Sequence, residues 1–245
     1  MHTSLHASLC AWATLAAVPA RQPSARQPSD RQPSDRQPSA QLVYDTTKEQ
    51  ILSGQLTGGT LLSENDVARQ LHVSRTPARE AFVRLEAEGL LSLMPRRGAV
   101  VTPMTFSDAL DVLEVREALE VSAVRRLARR TERASLLEAA RTELREQASH
   151  AATFDLPGFA ASDQRFHRAV VDAAGNALAS RFYAALGDRQ RRMTATAVGA
   201  DLHRLADLLA DHRDLLGHAE SGDSDGFAGA LHRHFESTHR FLLGQ

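Results

Sequence analysis

At 245 residues with 42% hydrophobic side chains, the chain is long enough for two domains, each with its own core. A formal net charge of -1 excludes a globally basic, nucleic-acid-coating protein. One cysteine, Cys10, excludes internal disulfides and any cysteine-based metal site, which fits a reducing, cytoplasmic setting. Residues 1–40 open with an apolar stretch, Leu9 to Ala20, that no Lys or Arg precedes and that is too short to span a bilayer. Neither a secretory leader nor a membrane anchor is expected from it. Four tandem five-residue repeats follow, Arg21-Gln22-Pro23-Ser24-Ala25 through Arg36-Gln37-Pro38-Ser39-Ala40. They offer nothing apolar to bury, so a disordered extension is expected. It reads either as a flexible arm whose arginines add affinity or as sequence upstream of a true start near residue 40.

Residues 41–104 read as three helices and a hairpin. Leu42 to Leu56 carries Val43, Ile51, Leu52 and Leu56 on one face and stops at Gly58-Gly59. Ser63-Glu64-Asn65-Asp66 has the pattern of a capping box opening a short helix through Val67, Ala68 and Leu71. After only His72-Val73, Ser74 is placed to cap the next helix, and Pro77 sits early enough to remove no intrahelical bond. Ala78, Ala81, Phe82 and Leu85 assign one face of that helix to a core and leave Arg75, Thr76 and Arg79 outward. Arg84 reads as a solvated charge. Leu90-Leu91-Ser92-Leu93 and Ala99-Val100-Val101 then bracket Met94-Pro95-Arg96-Arg97-Gly98, a hairpin with a basic tip. The whole is a winged helix-turn-helix.

Residues 42–103 resemble the N-terminal domain of GntR-family bacterial transcription regulators. The resemblance rests on Leu61-Leu62-Ser63-Glu64, Val73 through Ala81, Leu85-Glu86-Ala87-Glu88-Gly89-Leu90, and Pro95-Arg96-Arg97-Gly98. It implies base and phosphate contacts by Arg75, Thr76 and Arg79, phosphate contacts by Ser74 and Asn65, and a minor-groove approach of the wing backbone at Gly98. Many family members have arginine where this chain has Asn65. Residues 41–104 hold seven basic and seven acidic side chains, so affinity has to come from placed arginines, with Arg96 and Arg97 adding salt-dependent contacts at the wing.

From Thr105 onward helix follows helix, near residues 107–130, 132–149, 156–174, 177–198, 201–220 and 223–242. The breaks fall at Phe154 to Gly158, Gly175-Asn176, Gly199 and Ser221-Gly222-Asp223. About six helices predict an all-helical antiparallel bundle over residues 105–245. Its 18 basic and 21 acidic side chains argue against a surface lying along phosphates.

Within that bundle Asp163 and His167, four apart, project from one helix face, and His212 and His234 come from the last two helices. One carboxylate and three imidazoles suit a divalent zinc, nickel, manganese or iron ion and leave an octahedral metal two open positions. The chain has 11 histidines, and His150, His203, His218, His232 and His239 read as surface or capping residues. Residues 107–242 are also similar to the FCD effector domain of the FadR subfamily, on Glu114 to Glu120, Asp163-Gln164-Arg165-Phe166-His167, Gly175-Asn176 and the His212 and His234 segments. That similarity implies a metal at Asp163, His167, His212 and His234, a small organic acid bound against it, and a contact to the acid from Arg116, with Asn176 a weaker candidate that reads first as a helix cap. Arg116 alternatively forms an i,i+4 pair with Glu120 on a solvated face. The resemblance further implies a repressor that binds a palindromic operator in double-stranded DNA as a homodimer, without membrane contact. An open metal of this kind can also serve a small-molecule enzyme or simply brace the bundle.

Overall fold

A computed structural model describes residues 39–199 and 201–239. The repeats up to Pro38 and the apolar stretch before them lie outside the described residues. The first domain is built on α1 (Ser39–Leu52), β1 (Leu61–Leu62), α2 (Glu64–Gln70), α3 (Arg75–Ala87), β2 (Leu91–Met94) and β3 (Gly98–Val101). Val43, Ile51, Ala78, Ala81, Phe82, Leu85, Ala99 and Val101 form its core with no exposed surface. α3 begins at Arg75, where Ser74 and Pro77 place it. The turn from α2 is closed by His72 in the left-handed region, φ 54°, and by Val73 N donating to Ala68 O at 2.9 Å.

Two expected caps are corrected. Ser63 and Ser74 adopt the extended N-cap backbone, but neither hydroxyl bonds to its helix. Asp66, which would complete the box, pairs with Arg69 instead. Ser74 is left exposed beside Arg75 and Thr76.

β3 pairs with β2 in the register Leu91 to Val101 and Met94 to Gly98, and on its other edge with β1, Leu61 to Val100. β1 is not foreseen from sequence, because two residues are too few to show alternation. It also explains Gly98. With φ +101° and a would-be Cβ 2.1 Å from the Leu62 carbonyl oxygen, this position excludes any side chain on grounds internal to the sheet. Gly98→Ala is expected to cost about 1–3 kcal/mol and to loosen the wing. Urea denaturation checks this, and an unchanged midpoint would refute it.

The second domain is all helical: α4 (Phe106–Leu127), α5 (Arg133–Leu136), α6 (Glu138–Ala152), α7 (Leu156–Ala173), α8 (Ala177–Ala184), α9 (Gly187–Val198), α10 (Arg204–Ser221) and α11 (Ser224–His239). Thr105 opens α4 with a complete capping box to Asp108. Two expected helices are each divided. The 132–149 segment breaks at fully buried Leu137, and the 177–198 segment breaks before Gly187, which packs against the Gln164 amide where a Cβ would lie 3.2 Å away. Val124, Leu127, Phe166, Val170, Leu215, Phe227 and Leu231 fill the bundle interior. No helix among the described residues is long and apolar enough to cross a membrane.

Candidate metal centre and DNA-facing cleft

Asp163 and His167 lie one turn apart on the buried face of α7, and α10 and α11 bring His212 and His234 against them. All four are buried, with one ligand atom from each within 4.8 Å of the others. His212 Nε2 lies 3.3 Å from Nε2 of both His167 and His234, and 3.2 Å from Asp163 Oδ1.

The outer nitrogens decide what this cluster can hold. His167 Nδ1 donates to Glu120 Oε2 at 2.7 Å, His212 Nδ1 to Gln147 Oε1 at 2.6 Å, and His234 Nδ1 to Asp211 Oδ2 at 3.2 Å. Gln147 is oriented for this by its own amide donating to Ser162 O at 3.4 Å. These acceptors place each imidazole proton on Nδ1 and turn three bare Nε2 lone pairs toward one point. Lone pairs 3.3 Å apart repel. A proton on His212 Nε2 can satisfy Asp163, but it cannot serve two further nitrogens at once. A cation can, so the residues present fit a divalent metal.

Protonation states agree with this fit. Burial, reinforced by the charge of Arg116, pushes His167 well below its ordinary value, and burial also lowers His234. Burial alone would raise the Asp163 carboxyl. Its contact with His212 and the charge of Arg116 hold it low instead. Its other oxygen accepts from Thr194 Oγ1 at 3.0 Å and Gln190 Nε2 at 3.5 Å, both on α9.

Arg116 combines features of both sequence readings. It does pair with Glu120, Nε to Oε1 at 3.1 Å, but inside the bundle, with only 1% of the arginine side chain exposed. Tyr183 OH donates to the same Glu120 oxygen at 2.6 Å. The guanidinium lies 4.5 Å from the Phe235 ring centroid, and its Nη2 is buried without a partner.

Asn176 is elsewhere. It is exposed, and its side chain accepts from Leu178 N and Ala179 N as the cap of α8, so it is not available to an acid in the cluster. His239, expected at the surface, is 1% exposed and pushed down to about 3, by burial first and then by the Arg116 charge. Its Nδ1 also lacks a partner. Nothing in its spacing from His234 separates it from a surface position.

On the first domain, Arg75, Thr76 and Arg79 of α3, Asn65 of α2, and Arg96 and Arg97 of the wing are all exposed. Asn65, Arg75, Arg79, Arg96 and Arg97 line one cleft of about 560 Å³ between α3 and the wing. Arg84, away from that cleft, stacks 3.9 Å over the Tyr44 ring and donates to Gln41 Oε1.

Residues 39–101 match the family described as bacterial regulatory proteins, gntR family, and residues 111–237 match the FCD domain. The "Probable D-xylose utilization operon transcriptional repressor" of Paenarthrobacter nicotinovorans is 34% identical over 195 residues, 80% of this chain and 84% of that protein. The HTH-type transcriptional repressor RspR of Escherichia coli K12 is 28% identical, over 80% and 85% of the two chains. A solved GntR transcriptional regulator from Rhodococcus sp. RHA1 shares the fold at TM-score 0.68 and 22% identity, covering 84% of this chain and 97% of that one. A winged helix with arginines on its leading helix, followed by a bundle around a buried Asp-His-His-His cluster, therefore belongs to the GntR family of bacterial transcription regulators, with an FCD domain, and is not an enzyme.

Proposed function

We propose that this protein is a cytoplasmic, metal-dependent repressor that binds a palindromic operator as a homodimer and changes its operator affinity when a small organic acid enters the FCD domain. The observation that carries this is the convergence of three Nε2 atoms and Asp163 in a bundle interior that also holds Arg116 with its unpartnered Nη2. Asp163, His167, His212 and His234 would hold a divalent zinc, nickel, manganese or iron ion. When bound, that ion supplies Lewis-acid positions for carboxylate oxygens. Arg116 would receive the acid's second oxygen-bearing group through its free nitrogen. The repressor sense follows the naming of two relatives.

α9 offers a route from site to output. Gln190 and Thr194 hold Asp163, while Asp188 pairs with Lys48 at 2.7 Å and Arg191 with Glu49 at 2.7 Å, both partners on α1. Arg192 donates to the Thr102 carbonyl just past the wing. A ligand that shifts Asp163 would move the seat of the winged helix, with a coupling of about 1–3 kcal/mol.

A bound cation at a thousandfold excess over its Kd would stabilise the fold by about 4 kcal/mol, roughly 10 °C in Tm. Chelation should remove that increment in the native protein and change nothing in His212→Ala. Small mono- and dicarboxylates are then screened by thermal shift with and without metal, and active ones tested by anisotropy on duplex DNA from upstream of the gene. A metal that serves only to brace the bundle predicts a Tm loss in His212→Ala with no acid altering DNA affinity in any form, and that result would refute the sensor reading.

A further inference from the structure

The cleft between α3 and the wing is lined by four arginines, Arg75, Arg79, Arg96 and Arg97, and by one carboxylate, Glu64. A carboxylate has the wrong sign for a surface that meets phosphates, and its repulsion weakens binding unless it does something specific. Glu64 is the first residue of α2, with its side chain only 16% exposed, and one of its oxygens accepts from Arg75 Nε at 2.8 Å. Arg75 is the first residue of α3 and is 67% exposed. The carboxylate is thus the fixed partner and the guanidinium the presented one. Asp66 and Arg69 make the contrast: 64% and 79% exposed, they form an ordinary solvated pair on the outer face of α2.

Arginine has five N–H donors in a planar fork. With Nε held by Glu64, the two terminal nitrogens remain, and these are the pair that binds guanine O6 and N7 together. The leading residues of a recognition helix are the ones that reach base edges. A long, freely rotating side chain would have to be ordered on arrival at the groove, whereas one pinned at Nε arrives with its fork already aimed.

We propose that Glu64 is a positioning residue for base readout: its carboxylate clamps Arg75 Nε so that the terminal nitrogens face a guanine, and operator specificity depends on a residue that does not itself touch a base. The inference rests on the family's DNA-binding role and adds a specificity determinant to it.

The test uses the full chain. Selection from a random duplex pool gives the wild-type consensus, and anisotropy is then measured on that duplex and on single-base replacements at each guanine. Arg75→Ala identifies the guanine it reads, whose replacement weakens wild-type binding about tenfold or more. Glu64→Ala should flatten the preference at that same position, leave the other positions intact, and leave or raise affinity for non-specific DNA. Glu64→Gln, whose amide oxygen still accepts from Nε, should retain most of the preference. In an Arg75→Ala background, Glu64→Ala should add no further loss. A Glu64→Ala protein with unchanged preference at that guanine, or with equal loss at every position and a lowered Tm, would overturn the proposal. A wild-type chain that selects no consensus would instead overturn α3 as the specificity element, and this inference with it.

Discussion

Arg116→Met is expected to lower stability by about 3–5 kcal/mol, the range found when one partner of a buried ion pair is removed. Arg116 and Glu120 are 1% and 0% exposed, and no water competes for either charge. Glu120 accepts from Arg116 Nε, Tyr183 OH and His167 Nδ1, three donors that favour the ionised carboxylate. Deleting the guanidinium leaves that carboxylate with hydrogen bonds but no countercharge. Burial already pushes Glu120 up against the opposing pull of Arg116. Without Arg116, burial would act unopposed by that charge, and Glu120 would take up a proton. His167 would then face a weaker acceptor, so the damage should extend to metal affinity. Arg116→Met with Glu120→Gln removes both charges and should recover about 1–3 kcal/mol, the coupling typical of touching partners. Urea unfolding of the single and double variants checks this. A loss below about 1 kcal/mol in Arg116→Met would show that the pair is not held ionised. If the variant folds and binds metal, its acid response should also be gone, since the unpartnered Nη2 is the proposed contact.

The parts of this molecule that were legible in sequence are those whose partners lie within one turn or one motif. Asp163 and His167 share a helix face by spacing alone, and α3 is bounded by Ser74, Pro77 and an apolar face that recurs at helical spacing. The supporting groups were not legible. Glu120 reaches His167 across 47 residues and Gln147 reaches His212 across 65, and no local pattern marks either. Glu120 was in view, but as a solvated partner of Arg116. Periodicity shows that both lie on one helix face and does not say which face is buried. Asp211 adjoins His212 in sequence, yet its side chain supports His234 on the next helix. Asn176 was legible as a cap: a turn residue after Gly175 reads first as the start of a helix, and its side chain caps α8. β1 and the breaks at Leu137 and Gly187 are products of tertiary packing, which overrides local propensity.

Acidification is expected to begin destabilising the metal-free protein well before its carboxylates titrate. In the unfolded chain His167, His234 and His239 take up protons near pH 6.5. In the folded chain all three are held lower, His239 down to about 3, because burial disfavours the imidazolium. Above pH 6.5 neither state is protonated and the three contribute nothing to the pH dependence. As the pH falls below that value only the unfolded state gains protons, so stability is lost, by up to about 1.4 kcal/mol per unit for each histidine and roughly 4 kcal/mol per unit for three. Glu120, raised by burial, works in the opposite sense, but it is one group against three. Asp163 and Asp211, both held low, extend the loss once the pH falls below the ordinary carboxylate value of about 3.9. With an ordinary reserve of about 5–15 kcal/mol, the metal-free fold should fail between roughly pH 5 and 3. Bound metal adds stability at neutral pH and is itself displaced by protons on the same imidazoles, so the loaded protein should start higher and fall more steeply. Urea midpoints of chelated and loaded protein at half-unit steps from pH 7.5 to 4 measure both slopes. His239→Gln, which removes one of the three without touching the metal set, should flatten the chelated slope by about a third. A chelated protein whose stability is level from pH 7 to 5 would show that these histidines are solvated in solution, and the buried cluster would not stand.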